Sequence, residues 1–256
     1  MNKTVSFAKR NLMEMSRDAL SYIFCVAFPV VMLIIMSLVN STIPKESGNT
    51  VFQIDSLAGG VAVFGQSFIM LFTALQVATD RGSSFLIRLY ASPMKSRNFT
   101  NGYILPMLVI ALIQGVITHI AAYIISLIVG YDLNPLGLLL ALVTALPSAV
   151  FFIALGLIFG TLFNEKSAPG MCSVIISLGS FLGGFFFDAE HATGAMGIIC
   201  RSQPLYYCTK TVRSTIKMDF SWDAFGLPML IVCGSAMVLI VLAIVLFKRK
   251  MHADLA

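Results

Sequence analysis

The sequence predicts an all-α integral membrane protein with six transmembrane helices and an N-terminal amphipathic helix at the membrane surface. Of its 256 residues, 58% are hydrophobic and only 11% are charged, and the mean hydropathy is +0.90. Soluble domains carry about 25% charged residues and about 45–50% apolar ones. Six long apolar runs contain no Asp, Glu, Lys or Arg, and the basic residues cluster between them.

Each apolar run is long enough to cross a bilayer as a helix. At about 1.5 Å per residue the runs extend roughly 27–40 Å, against a hydrocarbon core of about 30 Å. The first run is too long for the apolar part of a signal peptide, so we expect it to be retained. The predicted spans are residues 19–39, 57–78, 104–129, 136–162, 170–187 and 226–247, within one membrane domain covering residues 1–256.

The basic residues predict the orientation of these spans. Twelve of the 17 Lys and Arg residues lie before the first span, between the second and third, between the fourth and fifth, or after the sixth. Cytoplasmic loops carry an excess of Lys and Arg. Both termini are therefore predicted to be cytoplasmic, which requires an even number of spans. Residues 79–102 then form a cytoplasmic segment and residues 188–225 an extracellular one.

Residues 1–18 are predicted to form an amphipathic helix along the inner membrane surface. An apolar stripe opposite a cationic face is typical of helices that lie in this interface. A disordered basic leader is the alternative. The stripe comprises Val5, Ala8, Leu12, Met15 and the adjoining Ala19, and the polar positions between them are Lys9, Arg10, Glu14 and Arg17.

Few residues could carry catalysis. His119 is the only histidine in a predicted span, and no His or Cys spacing matches a metal site. Residues 60–67 have the glycine spacing of a phosphate-binding loop, but Gln66 replaces the lysine that contacts the phosphates. We therefore expect no catalytic site, no metal and no nucleotide on this chain. The basic residues lie in short clusters between apolar runs, so nucleic acid is not an expected partner.

Three further patterns leave alternatives open. Cys200 and Cys208 share the outer segment, either as a disulfide or as free thiols. Gly156 with Gly160, and Gly179 with Gly183, have the small-xxx-small spacing that lets helices approach closely, within one chain or between two. Phenylalanines in the fourth and fifth spans ordinarily pack or face lipid, and a substrate path is the alternative. The candidates for that path are Phe151, Phe152, Phe181 and Phe185.

The cytoplasmic segment carries a candidate docking helix. Ser83 or Ser84 can cap a short helix that Pro93 would end. The pairs Phe85 with Leu89 and Leu86 with Tyr90, each four residues apart, build an apolar ridge on that helix, flanked by Arg81 and Arg88. Such a ridge is suited to a groove on a cytoplasmic partner.

In these motifs the chain resembles the ABC-2 family of ATP-binding-cassette transporter permeases. After the second span, that family has an acidic residue, Arg, Gly and Thr or Ser, followed by a leucine-rich turn and Ser/Thr-Pro. The sequence has Asp80, Arg81, Gly82 and Ser83, then residues 85–89, then Ser92 and Pro93. The family's outer segment has a matching motif, represented by Pro204, Leu205, Tyr206, Tyr207 and Arg213.

The resemblance implies the permease subunit of an exporter in a bacterial cytoplasmic membrane. Its substrate would be amphiphilic, such as a drug, a lantibiotic-like peptide or a lipid-linked molecule. ATP and Mg²⁺ would bind a separate ATPase subunit, and two permeases would form a homodimer or heterodimer. The implied coupling residues are Asp80, Arg81, Gly82, Phe85, Leu86, Arg88, Leu89, Ser92 and Pro93.

Two other function classes fit a chain of this composition. An ion-coupled secondary transporter would be expected to carry charged residues within its spans, and the six runs have none. A membrane-embedded enzyme would need a nucleophile with a base or a set of metal ligands, and the spans offer only His119.

Overall fold

The computed structural model describes residues 3–44, 50–83 and 96–254. Within these residues the secondary structure is helical, and no strand occurs. Two π-helical turns, Ile23–Ala27 and Trp222–Gly226, lead into the α-helices that follow them. The α-helices are α1 Lys3–Met15, α2 Ala19–Tyr22, α3 Phe28–Thr42, α4 Ile54–Gly82, α5 Ser96–Val129, α6 Pro135–Thr144, α7 Leu146–Leu162, α8 Ala168–Phe181, α9 Gly194–Arg201, α10 Pro204–Ile216 and α11 Leu227–Asp254.

Five helical segments of the described residues are long and apolar enough to cross a membrane. They contain the first four predicted spans and the sixth. Five such segments indicate a multi-pass membrane protein. The side of the membrane on which the termini lie stays a prediction. The segments are Ala19–Thr42, Ile54–Gly82, Asn98–Val129, Pro135–Leu162 and Trp222–Lys250.

The fifth predicted span, residues 170–187, is wrong in its C-terminal part. Helix α8 ends at Phe181 and has 14 residues, which gives about 21 Å, less than the bilayer core of about 30 Å. The chain turns at Gly184, whose φ of 74° is in the left-handed region that glycine adopts without strain. Phe185 then inserts into the bundle and is fully buried. These apolar residues pack inside the protein rather than continuing a span.

Helix α4 forms the centre of the bundle. In its most apolar stretch 83% of residues are buried, against 17–50% in the other four candidate spans. It packs against α3, α5, α7, α8 and α10. The closest approach is to α7, where Cβ atoms added at Gly156 and Gly160 would lie 2.4 Å and 2.6 Å from backbone oxygens of α4. This glycine pair therefore packs within one chain, which confirms that alternative.

The fourth predicted span is interrupted at Ala145, between α6 and α7. Pro147 lies in the first turn of α7. Proline has no N–H, and its ring excludes the carbonyl four residues earlier, so a helix commonly breaks or kinks there. The segment Pro135–Leu162 still has the length of a span, but its two halves are joined by a bend.

Both predicted loops are more helical than the sequence indicated. Helix α4 continues to Gly82 and α5 begins at Ser96, so the two ends of the segment 79–102 belong to helices. The segment 188–225 contains α9 and α10. Six predicted coupling residues lie outside the described residues: Phe85, Leu86, Arg88, Leu89, Ser92 and Pro93.

Candidate functional site

The described family-motif residues fall at opposite ends of α4. Asp80, Arg81 and Gly82 occupy its last turn, whereas Arg213 of α10 contacts Ser56 in its first turn. The 24-residue separation of Ser56 and Asp80 corresponds to about 36 Å along the helix. The structure therefore forms two separate clusters, one at each end of the central helix.

Asp80 joins three helices at the C-terminal end of α4. Its carboxylate accepts two hydrogen bonds from Arg10 of α1, Nη1 to Oδ2 at 2.8 Å and Nη2 to Oδ1 at 2.9 Å. The hydroxyl of Tyr103 in α5 donates a third hydrogen bond at 2.7 Å. Only 4% of Asp80 is exposed. Paired hydrogen bonds between Arg and a carboxylate are strong and fix geometry, so this cluster anchors α1 to the bundle.

The face of α1 that docks on the bundle contains Met15 of the predicted apolar stripe, which is buried in the core, but it also contains Phe7 and Asn11, which lie outside that stripe. Phe7 packs edge-on against Phe99 and Tyr103 of α5, with ring centroids 5.8 Å and 5.1 Å apart. Asn11 donates a hydrogen bond from Nδ2 to the Gly102 carbonyl at 3.0 Å. Val5, a member of the predicted stripe, is 53% exposed. The helix itself is confirmed, but a buried asparagine lies in its docked face, where hydropathy gives no signal.

Arg81 caps the C-terminal end of α7. Its Nη1 donates to the carbonyls of Gly160 at 3.0 Å and Phe163 at 3.5 Å, and to that of Thr161. The last carbonyls of a helix have no partners within it and carry partial negative charge. The Arg81 guanidinium donates hydrogen bonds to these carbonyls, and its positive charge offsets their partial negative charge. Asp80 and Arg81 thus contact other helices of the same chain, directly before the candidate docking helix.

Replacing Asp80 by Asn is expected to lower the free energy of unfolding by about 1–3 kcal/mol, since hydrogen bonds to a charged group are lost. Thermal unfolding of the single and double variants with Arg10→Met, combined as a double-mutant cycle, measures the pair directly. Arg17→Met, at an exposed position in the same segment, is the control. Additive effects of the two substitutions would contradict the pairing.

Helix α10 carries the outer motif. Pro204 lies in its first turn, where its missing N–H needs no partner. Tyr207 donates its hydroxyl to the Arg201 carbonyl at 2.8 Å. Tyr206 is buried beneath the ammonium of Lys210, 5.9 Å from the ring centre, and burial raises the pKa of Tyr206 to about 12. Its hydroxyl is therefore neutral at physiological pH. Leu205 is also buried.

Arg213 fastens α10 to the N-terminal end of α4. Its Nε donates to the Ser56 carbonyl at 2.8 Å, and its Nη2 to the Phe185 carbonyl at 3.3 Å. A Cβ at Gly59 would lie 2.8 Å from the Arg213 side chain, and one at Gly60 would lie 2.9 Å from Nη2. Burial lowers the pKa of Arg213 to about 10, and nearby carboxylates, Glu190 foremost, oppose that shift. Arg213 therefore stays cationic at neutral pH.

Two further contacts at this end were not predicted. Asp55, in the first turn of α4, lies 3.7 Å from the ammonium of Lys217. Thr144 donates a hydrogen bond to Thr215 at 3.0 Å, which links α6 to α10. In the sequence, the one feature that sets Asp55 apart is its position just before a long apolar run, and this does not identify its partner.

The proposed substrate-path phenylalanines do not share an accessible surface. Phe151, Phe152 and Phe185 are buried in the core, and Phe181 is 64% exposed. A different set of rings, which we call the aromatic row, joins the first two spans and reaches the surface at Phe24 and Phe28. Centroid distances between its neighbouring rings are 5.0–6.4 Å. The row comprises Phe24, Phe28, Phe64, Phe68 and Phe72.

The two cysteines of the outer segment are free thiols. Cys200 packs with Ala189 and Tyr206 in a small cluster, while Cys208 belongs to the main core. Of the two alternatives left open by the sequence, the structure therefore has free thiols at Cys200 and Cys208 and no disulfide between them.

A family profile matches most of the chain. The sequence profile of the family described as ABC-2 type transporter matches residues 2–217, a stretch that includes both clusters at the ends of α4. No curated protein matches the chain.

Proposed function

The chain belongs to the ABC-2 type transporter family, and on that premise we propose that it is the permease subunit of an ABC exporter. In this proposal ATP is hydrolysed by a separate nucleotide-binding subunit on the cytoplasmic side of a bacterial cell membrane. Two permeases, identical or different, form the pathway, and both termini of each lie in the cytoplasm. The chain itself binds neither ATP nor Mg²⁺ and catalyses no reaction.

The observation that supports this proposal most strongly is the continuity of α4 between the two clusters. The 29-residue helix has Asp80 and Arg81 in its last turn, directly before the segment of the candidate docking helix, and contacts Arg213 near its first turn. A displacement applied to that segment would reach both α7 and α10 through one rigid element. Transport then requires two packings of the bundle whose populations shift with the state of the ATPase.

The end of the aromatic row that reaches the surface, at Phe24 and Phe28, supports an amphiphilic substrate, whereas Phe64, Phe68 and Phe72 are buried. The rings of the row run along three successive turns of α4 and continue onto the first span, where Phe24 is 36% exposed. Aromatic faces accommodate apolar groups and also attract cations. A drug or a lantibiotic-like peptide would offer both chemistries.

Leu86→Glu tests the coupling role. A carboxylate placed in an apolar groove without a partner is strongly unfavourable, so we expect at least about a tenfold loss of bound ATPase, equivalent to about 1.4 kcal/mol. Leu86→Met is the matched control and should retain binding. The measurement is the amount of co-purifying protein with a phosphate-binding loop, together with ATP-dependent extrusion of an amphiphilic dye from vesicles.

Two results would overturn this function. In the first, Leu86→Glu transports as the wild type does. In the second, the chain purifies without an ATPase and transport follows an ion gradient while being insensitive to vanadate, which would favour an ion-coupled secondary transporter.

A further inference from the structure

A small cavity lies beside the bend between α6 and α7, and its mostly apolar lining includes three polar side chains, Gln66, Gln114 and His119. Its volume is about 10 Å³, close to the smallest space that holds one water molecule, about 10–15 Å³. Side chains of α4, α5, α6 and α7 line it. The residues used below are Ala62, Gln66, Ala111, Gln114, His119 and Ala145.

His119 presents a hydrogen-bond acceptor in this region. Its Nδ1 lies 2.6 Å from the Gly115 carbonyl. A carbonyl can only accept, so Nδ1 carries the proton and the neutral ring has a lone pair at Nε2. Only 4% of His119 is exposed, and Nε2 is buried with no partner among the described residues.

Gln114 presents a second acceptor. Its Nε2 donates to the Thr118 hydroxyl at 3.1 Å and to the Ala62 carbonyl at 3.4 Å. Because a carbonyl cannot donate, these contacts fix the orientation of the amide and leave Oε1 as the free end. Gln114 is 1% exposed, and its Oε1 has no partner among the described residues.

Gln66 does not satisfy either acceptor. Its Nε2 donates to the Ala145 carbonyl at 3.1 Å, and its Oε1 accepts from Ser148 at 2.6 Å. Two of the residues that line this space of about one water therefore each have a buried acceptor with no partner among the described residues. Buried polar groups in native proteins are nearly always hydrogen-bonded, to protein or to ordered water.

We propose that this cavity binds a single water molecule that donates its two hydrogens to Gln114 Oε1 and His119 Nε2. A metal or ammonium ion fits less well, since the cavity lining has no carboxylate and an unpaired buried charge is far costlier than a neutral water. The site does not depend on the transport role. Its water would provide hydrogen bonds to the two acceptors on α5. These bonds can break and re-form beside the bend in the fourth span.

Solid-state NMR of the wild-type chain in lipid, labelled with ¹⁵N-histidine, is the decisive measurement. We expect a neutral His119 ring, protonated at Nδ1, with Nε2 accepting a hydrogen bond and showing polarisation transfer from a long-lived water. His119→Asn assigns the signal among the three histidines. A protonated Nε2, or an unprotonated Nε2 without water transfer, would overturn the proposal.

A cavity-filling substitution gives a second readout. Ala111→Val should displace the water and leave both acceptors unsatisfied, lowering the melting temperature by about 5–10 °C. In a Gln114→Met/His119→Phe background, where neither of the two unsatisfied acceptors remains, the same substitution should cost clearly less. Equal losses in the two backgrounds would mean that the cavity is dry, and the proposal would fail.

Discussion

Gly156→Ala combined with Gly160→Ala is expected to lower the free energy of unfolding by about 2–6 kcal/mol, an overpacking effect at two sites. The added Cβ atoms would lie 2.4 Å from the Met70 oxygen and 2.6 Å from the Ala74 oxygen. These oxygens belong to the backbone of a buried helix and cannot rotate away as a side chain would. The two helices must therefore separate, and the contact at the centre of the bundle weakens.

Gly234→Ala in α11 is the matched control for this pair. A Cβ at Gly234 would meet no heavy atom within 4 Å, and alanine is the better helix former by about 0.8–1.0 kcal/mol. Thermal unfolding in detergent should show Gly234→Ala at or above the wild-type melting temperature. If the Gly156→Ala/Gly160→Ala variant has the same melting temperature as the Gly234→Ala control, the close approach of α4 and α7 is absent.

Arg213→Leu is expected to cost about 2–4 kcal/mol. Hydrogen bonds to a charged group contribute about 1.5–3 kcal/mol each, and two carbonyls lose their donor. The relief of burying one charge fewer offsets part of this loss. The substitution frees the outer segment from α4, so limited proteolysis at residues 188–203 should accelerate together with the fall in melting temperature.

Two variants separate the position of Arg213 from its charge. Arg213→Lys keeps the cation but cannot reach both carbonyls with a planar guanidinium, and should be intermediate. Arg201→Leu removes an exposed arginine of the same outer segment, whose contacts are long at 3.3–3.4 Å, and should change stability by less than about 1 kcal/mol. Equal stability of Arg213→Leu and Arg201→Leu would contradict the structure.

Hydropathy predicted the spans well where a helix is both long and apolar. It failed at residues 182–187 because apolar composition reports only a preference for leaving water. Lipid and protein interior satisfy that preference equally, so the burial of Phe185 against other helices could not be distinguished from a continued span. Hydropathy did not predict the bend at Ala145, although Pro147 lies close to it in the sequence. The apolar run continues through this position and is long enough for one span, so its composition gives no sign of a bend.

The candidate site was predictable in its motif residues but not in their partners. Asp80, Arg81 and Arg213 were identified from the family pattern, and the structure places each of them against the backbone or side chains of distant segments. Arg10 had been interpreted as part of a cationic face, and it instead binds Asp80, 70 residues away. Such pairings depend on the relative positions of helices, which no local pattern encodes.

By itself the sequence determined the class of the protein, five of its spans and its family, because these depend on composition, run length and short contiguous motifs. The tertiary structure alone decided which helix is central, which apolar residues face protein, and which polar groups meet. Those features arise from packing between segments far apart in the chain. There, a glycine facing a carbonyl or an arginine reaching across a helix end matters only once the neighbour is in place.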